Sequence, residues 1–76
     1  MKINSASDFG SAIRSKRKAR GLTQTQLAGY SGCSLMFLSD LERGKPTAEL
    51  GKAITVLNTL GIDLLAIDRE VPGHEA

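Results

Sequence analysis

The sequence predicts an all-α fold: a small bundle of four to five helices with a short C-terminal strand that pairs across a dimer. Three observations predict it. Apolar residues recur at helical spacing in successive segments, each followed by a glycine stop at Gly21, Gly32, Gly44 or Gly61. One stretch alone, IDLLAID, reads as a strand, and a lone strand leaves its N–H and C=O groups unpaired. Finally, 76 residues make one small domain, which buries only about 60% of its unfolded surface and gains from a core shared between two copies.

The first helix is expected over residues 7–19, with Ser5 or Ser7 as cap and Asp8 near the positive end of the helix dipole. Phe9, Ile13 and Arg17 fall on one face. Thr23 is a good cap for a second helix over 24–30, which turns Leu27 and Ala28 inward. Ser31-Gly32 breaks it, Gly32 suiting a position with φ > 0. Ser34 caps a third helix reaching Arg43, with Phe37, Leu38 and Leu41 as its inner stripe. Pro46 prevents an immediate restart. Thr47 is expected to cap the fourth helix, over 48–60, whose apolar face is Leu50, Ala53, Ile54, Leu57 and Leu60.

The strand follows. The economical way to satisfy it is pairing with its counterpart in a second copy across a two-fold axis, through Ile62, Leu64, Ala66 and Ile67. The alternatives are an extended tail packed on its own domain or a helical extension. The chain thus divides into an N-terminal arm (1–6), a helical domain (7–61), a dimerisation strand (62–69) and a frayed tail (70–76).

Charge is unevenly spread. Residues 1–52 hold nine Lys/Arg against four Asp/Glu, a net +5, and residues 53–76 hold one against four, a net −3. A basic body suggests a polyanionic partner, although the run RSKRKAR is equally readable as a solvated helix face. The single cysteine, Cys33, rules out an internal disulfide framework and suits a reducing compartment; it reads as a small buried residue rather than a reactive thiol. MKINSASDFG lacks the apolar core of a secretory signal, and no apolar run approaches the roughly 18 residues of a membrane span. His74 has no companions at ligand spacing, and no nucleophile elbow, phosphate loop or buried carboxylate pair is legible, so neither metal, cofactor nor catalysis is expected.

Two short helices joined by a tight glycine turn form the helix-turn-helix pattern. Ala28 is small where the helices approach, Gly32 sits in the turn, and Leu38 packs back on the first helix. The run GLTQTQLAGYSGCSLMFLSDLERGKP resembles the Cro/repressor-type (XRE) helix-turn-helix family, and FLSDLERGKPTAELGKAITVLNTLGIDLLAIDRE is similar to HipB-type antitoxins. The resemblance spans about residues 9–70 and implies a phage-repressor-like bundle that binds double-stranded DNA.

It also implies roles. Gln24 matches a glutamine that holds backbone phosphate, a contact that free N–H groups at a helix start would aid, with Thr23 beside it. Arg17 and Glu42 match a partly buried ion pair tying the first helix to the third, a structural role. The third helix enters the major groove, where Ser34, Leu35, Met36, Ser39 and Asp40 face the bases. Family members often carry Gln, Arg, Lys or Asn at the places of Leu35, Met36 and Asp40. Here Leu35 and Met36 can only pack on thymine methyl groups, while Asp40 can accept from cytosine N4 or repel phosphate to set register. Arg43 and Lys45 are phosphate candidates; Arg14, Lys16 and Lys18 are divided between phosphate and solvent.

The expectation is a homodimeric repressor of a pseudo-palindromic operator, cytoplasmic and nucleoid-associated, and the antitoxin partner of a HipA-like serine/threonine kinase toxin. The alternatives are a stand-alone regulator of phage or restriction-modification type, and an adaptor whose bare Leu35–Met36 face binds protein.

Overall fold

The computed structural model describes residues 1–69 as four helices: α1 Ala6–Ala19, α2 Gln24–Ser31, α3 Leu35–Glu42 and α4 Leu50–Thr59. Helix α1 packs on α3, α3 on α2 and α2 on α4. Ile13, Leu27, Leu38, Val56, Leu57 and Leu60 are fully buried between them, joined by Ala28, Leu41 and Ala53. Small Ala28 and Ala53 let the helices approach; Phe9, Leu22, Cys33, Phe37 and Ile62 close the rim.

Each helix starts on a side-chain oxygen. Ser5 Oγ accepts from the Asp8 N–H at 3.0 Å, and Ser34 Oγ from the Phe37 N–H at 3.0 Å. Thr23 and Gln26 make a reciprocal capping box, at 3.1 and 2.9 Å. The fourth start departs from expectation. Lys45 to Ala48 form a turn, closed by the Ala48 N–H on the Lys45 carbonyl at 3.4 Å. Pro46 occupies its second position, where a fixed φ is favoured, and Thr47 is absorbed into it. Glu49 caps α4 instead, its carboxylate accepting from the Gly51 and Lys52 N–H groups at 3.3 and 2.6 Å.

All four helices end in the same crossed pair of hydrogen bonds. After α2, Gly32 adopts φ 71°, its N–H reaching the Gly29 carbonyl and the Cys33 N–H the Ala28 carbonyl at 3.0 Å. The residue that closes this motif folds back on the helix it terminates. Leu22 does so after α1, Lys45 after α3 and Ile62 after α4, where the Ile62 N–H bonds the Leu57 carbonyl at 2.9 Å. Cys33 is thus a partly buried packing residue, and burial pushes its thiol pKa up.

The α4 stripe also differs. Ala53, Val56, Leu57 and Leu60 form the buried face, Ile54 is half-buried and Leu50 is 65% exposed. Leu50 lies at the mouth of a groove with Ile3, Phe9 and Pro46 rather than beneath a helix. On α3, Leu38, Leu41 and Glu42 are buried, while Phe37 stays partly open, with Lys52 Nζ 5.8 Å from its ring centre.

Residues 62–69 form no strand among the described residues. A strand needs a ladder, and one copy of the chain offers no second extended segment to pair with. Ile62 belongs to the cap of α4 and packs on its own core, so it does not join a free dimerisation edge. Leu64, Leu65 and Ile67 are exposed by 52, 75 and 80%. The expected tail, 70–76, lies outside the described residues. No described helix is long and apolar enough to cross a membrane.

Candidate nucleic-acid interface

Helices α2 and α3 are set against each other by Leu27, Ala28 and Leu38, and the four-residue register from Gly32 to Leu35 turns the start of α3 outward. Ser34, Leu35, Met36 and Arg43 are exposed, Met36 by 74% and Leu35 by 48%; Ser39 and Asp40 are partly exposed beside them. The five residues read as base-facing therefore share the outer side of α3, opposite Leu38 and Leu41.

Asp40 is not free. It pairs with Arg43 one turn on, and Lys45 Nζ lies 3.6 Å from its Oδ2. Both phosphate candidates at the end of α3 are thus tied to one acid of the same surface, an arrangement the sequence shows only as an i, i+3 spacing.

A polar cleft opens beside this surface, lined by Arg14, Thr23, Gln24, Ser39 and Arg43. Of the divided cations on α1, Arg14 is the one the structure brings to the cleft. Its floor is the Arg17–Glu42 pair. Arg17 Nε donates to Glu42 Oε2 at 2.7 Å and Nη2 to Oε1 at 2.9 Å, while Nη1 donates to the Leu22 carbonyl at 2.9 Å. Both residues are 8% exposed. The hydrogen bond to Glu42 raises the guanidinium pKa, aided by its charge and opposed by burial. The fork thus fixes α1 to α3 with every partner satisfied.

Gln24 reaches the same carboxylate: its Nε2 donates to Glu42 Oε1 at 3.1 Å. Thr23 is exposed at the helix start, its hydroxyl engaged in the cap. Sequence reasoning placed Gln24 and Glu42 in separate roles; nothing in their spacing of 18 residues signals the contact.

Close approach underlies this geometry. Gly10 is buried in the middle of α1, and a Cβ there would lie 2.3 Å from the Leu41 carbonyl oxygen and 2.6 Å from that of Glu42. Only a glycine lets α1 come near enough to the end of α3 for Arg17 to meet Glu42. A glycine inside a helix that costs helix stability was the available signal, and it was missed.

Comparison with known proteins places the molecule. Residues 13–67 match the model of a family described as helix-turn-helix. Over 67 residues the chain is 49% identical to the uncharacterized HTH-type transcriptional regulator y4mF of Sinorhizobium fredii, covering 86% of this chain and 88% of that one. It is 40% identical over 58 residues to the immunity repressor protein of Bacillus phage phi105, covering 76% of this chain and 40% of the repressor. Among solved structures, HipB in a complex with an O4 20-mer superposes with TM-score 0.83 at 24% identity, over 92% of this chain and 99% of that one, a likeness of fold. The chain belongs to the helix-turn-helix family of Cro/repressor type and is a DNA-binding transcriptional regulator.

Proposed function

We propose that two copies of the chain bind a pseudo-palindromic operator, repress the operon that encodes them, and neutralise a HipA-like kinase as its antitoxin. One observation carries the DNA reading: the outer side of α3 presents Ser34, Leu35, Met36 and Ser39 while Arg14, Arg43 and Lys45 flank it. Helix α3 lies in the major groove with Leu35 and Met36 on thymine methyls, Ser34, Ser39 and Asp40 at base edges, and Thr23, Gln24, Arg43 and Lys45 on the backbone. In the dimer, the segment after Ile62, residues 63–69, pairs as a strand; Leu64 and Ala66 fall on one face and Leu65 and Ile67 on the other. The two α3 helices then stand about 34 Å apart, one turn of B-DNA.

Anisotropy titration on operator DNA at several salt concentrations tests this. Arg43 and Lys45 in two copies supply four cationic contacts, so log K against log salt should slope at roughly −3 to −4. A flat dependence, or equal affinity for scrambled DNA, refutes it. The Leu35→Ala/Met36→Ala double variant should keep dimer mass and the salt slope but lose sequence preference; loss of a protein ligand with DNA preference intact favours the adaptor reading.

The antitoxin role rests on the HipB-like fold, one such structure being a HipA–HipB–O2–O3 complex. A stand-alone regulator is favoured by the more similar sequences, a bacterial regulator and a phage repressor. A kinase-like reading frame beside this gene, whose product co-purifies with the chain and loses activity in its presence, decides for the antitoxin; its absence decides for the regulator.

A further inference from the structure

We infer that Glu42, beyond tying α1 to α3, is a positioning residue that holds the Gln24 carboxamide ready for a DNA phosphate; this rests on the DNA-binding reading above. The Glu42 carboxylate has two oxygens and three donors around them. Oε2 takes Arg17 Nε, and Oε1 takes both Arg17 Nη2 and Gln24 Nε2. A carboxylate can only accept, so the Gln24 atom facing it must be the amide nitrogen and not the carbonyl oxygen. One Gln24 N–H is thereby spent inward. The second is left for another acceptor, and Gln24 lines the cleft together with Arg14, Thr23 and Arg43. A glutamine on a helix surface otherwise samples many rotamers and loses that freedom when it binds. Here the loss is already taken in the free protein. Arg17 makes this tolerable to a phosphate, because its guanidinium neutralises the carboxylate beneath.

The inference differs in sign from simple electrostatics. Glu42→Gln removes a negative charge beside the DNA and, by charge alone, tightens binding. A carboxamide, however, replaces one accepting oxygen with an NH2 donor. With its oxygen at the Oε1 position the NH2 faces Arg17 Nε; with its oxygen at the Oε2 position the NH2 faces Arg17 Nη2 and Gln24 Nε2. The fork to Arg17 and the contact to Gln24 therefore cannot both be kept. Binding by wild type, Gln24→Ala, Glu42→Gln and the double variant is measured by anisotropy on operator duplex. The temperature is one at which circular dichroism shows each folded, and active fractions are titrated. Glu42→Gln should weaken Kd roughly three- to tenfold, and the double variant should be no weaker than Gln24→Ala. An unchanged or tighter Kd for Glu42→Gln, or additive losses in the double variant, overturns the inference. Failure of the wild type to bind DNA overturns the repressor reading itself. A measurement on the free wild type needs no variant: ¹⁵N relaxation of the Gln24 side-chain amide should give an order parameter near the rigid-backbone value of about 0.85, and a value below about 0.6 overturns the inference.

Discussion

Gly10→Ala is the substitution on which local propensity and tertiary packing disagree in sign. Alanine in place of a helical glycine gains about 1 kcal/mol from the helix alone. At Gly10 the new Cβ would lie 2.3 Å from the Leu41 carbonyl oxygen and 2.6 Å from that of Glu42. Ordinary carbon–oxygen contacts are about 3.3–3.6 Å, so α1 and α3 must separate by roughly 1 Å. Both obstacles are backbone and cannot swing aside. The same displacement stretches the Arg17–Glu42 bonds, now 2.7 and 2.9 Å, toward the limit of hydrogen bonding. Overpacking costs about 1–3 kcal/mol and weakening a charged hydrogen bond about 1.5–3 kcal/mol. Net of the helix gain, a loss of about 3 kcal/mol is expected, which lowers Tm by roughly 12–24 °C in a domain of this size. Thermal melts by circular dichroism, at one fixed protein concentration because any dimer links Tm to concentration, read this directly. Gly29→Ala is the control: a Cβ there meets nothing within 4 Å, so it should raise Tm. A Gly10→Ala variant melting at or above wild type would refute the packing argument.

Three further outcomes are expected. Glu42→Ala leaves the buried Arg17 guanidinium without its partner and should cost about 3–5 kcal/mol, so an unchanged melting temperature would show the pair to be incidental. Asp40→Asn releases Arg43 and Lys45 from their shared acid; affinity for random-sequence DNA should rise and the salt slope steepen by roughly one, and an unchanged affinity would mean that the acid does not restrain them. Burial raises the Cys33 thiol pKa in the folded state, so at pH 8 iodoacetamide should modify the folded protein more slowly than the urea-unfolded chain. Because the unfolded thiol releases its proton first, the folded state should lose stability as pH rises above about 8.5, the ordinary thiol range. Equal alkylation rates in the two states would contradict the buried placement.

The helices and most of their caps were legible because their signals are local. Thr23, Ser34 and the glycine stops each act within one turn, and a sequence displays them side by side. What was not legible depends on which helix lies over which residue. Leu50 fits the apolar period of α4 as well as Leu57 does, yet no neighbouring helix covers its turn, and it remains exposed. Val56, off the expected stripe, is fully buried. Thr47 looked like the better cap because threonine is a favoured one, but the turn at Pro46 consumed it and left the longer side chain of Glu49 to do the work. Ile62 was read as the first residue of the strand IDLLAID, whereas the backbone bond closing α4 claims it first.

The interface shows the same division. That α3 turns an apolar pair outward followed from the spacing of Leu38 and Leu41 alone. That Asp40 is screened by Arg43 and Lys45, and that Gln24, Arg17 and Glu42 form one network, depends on how the folded helices are set against each other. The consequence bears on specificity. In the DNA complex proposed above, two of the six residues on the outer side of α3 are apolar and can register only a methyl group, and Asp40 can read cytosine only by loosening two cations. Hydrogen-bonded discrimination is therefore left chiefly to Ser34 and Ser39, whose hydroxyls both donate and accept and so separate bases poorly. With Ser34 Oγ already accepting the Phe37 N–H, its remaining capacity is smaller still. A regulator built this way must take much of its selectivity from the spacing of two half-sites and the deformability of the DNA between them. Its preferred sites should then vary more in base sequence within each half-site than in the distance that separates the two.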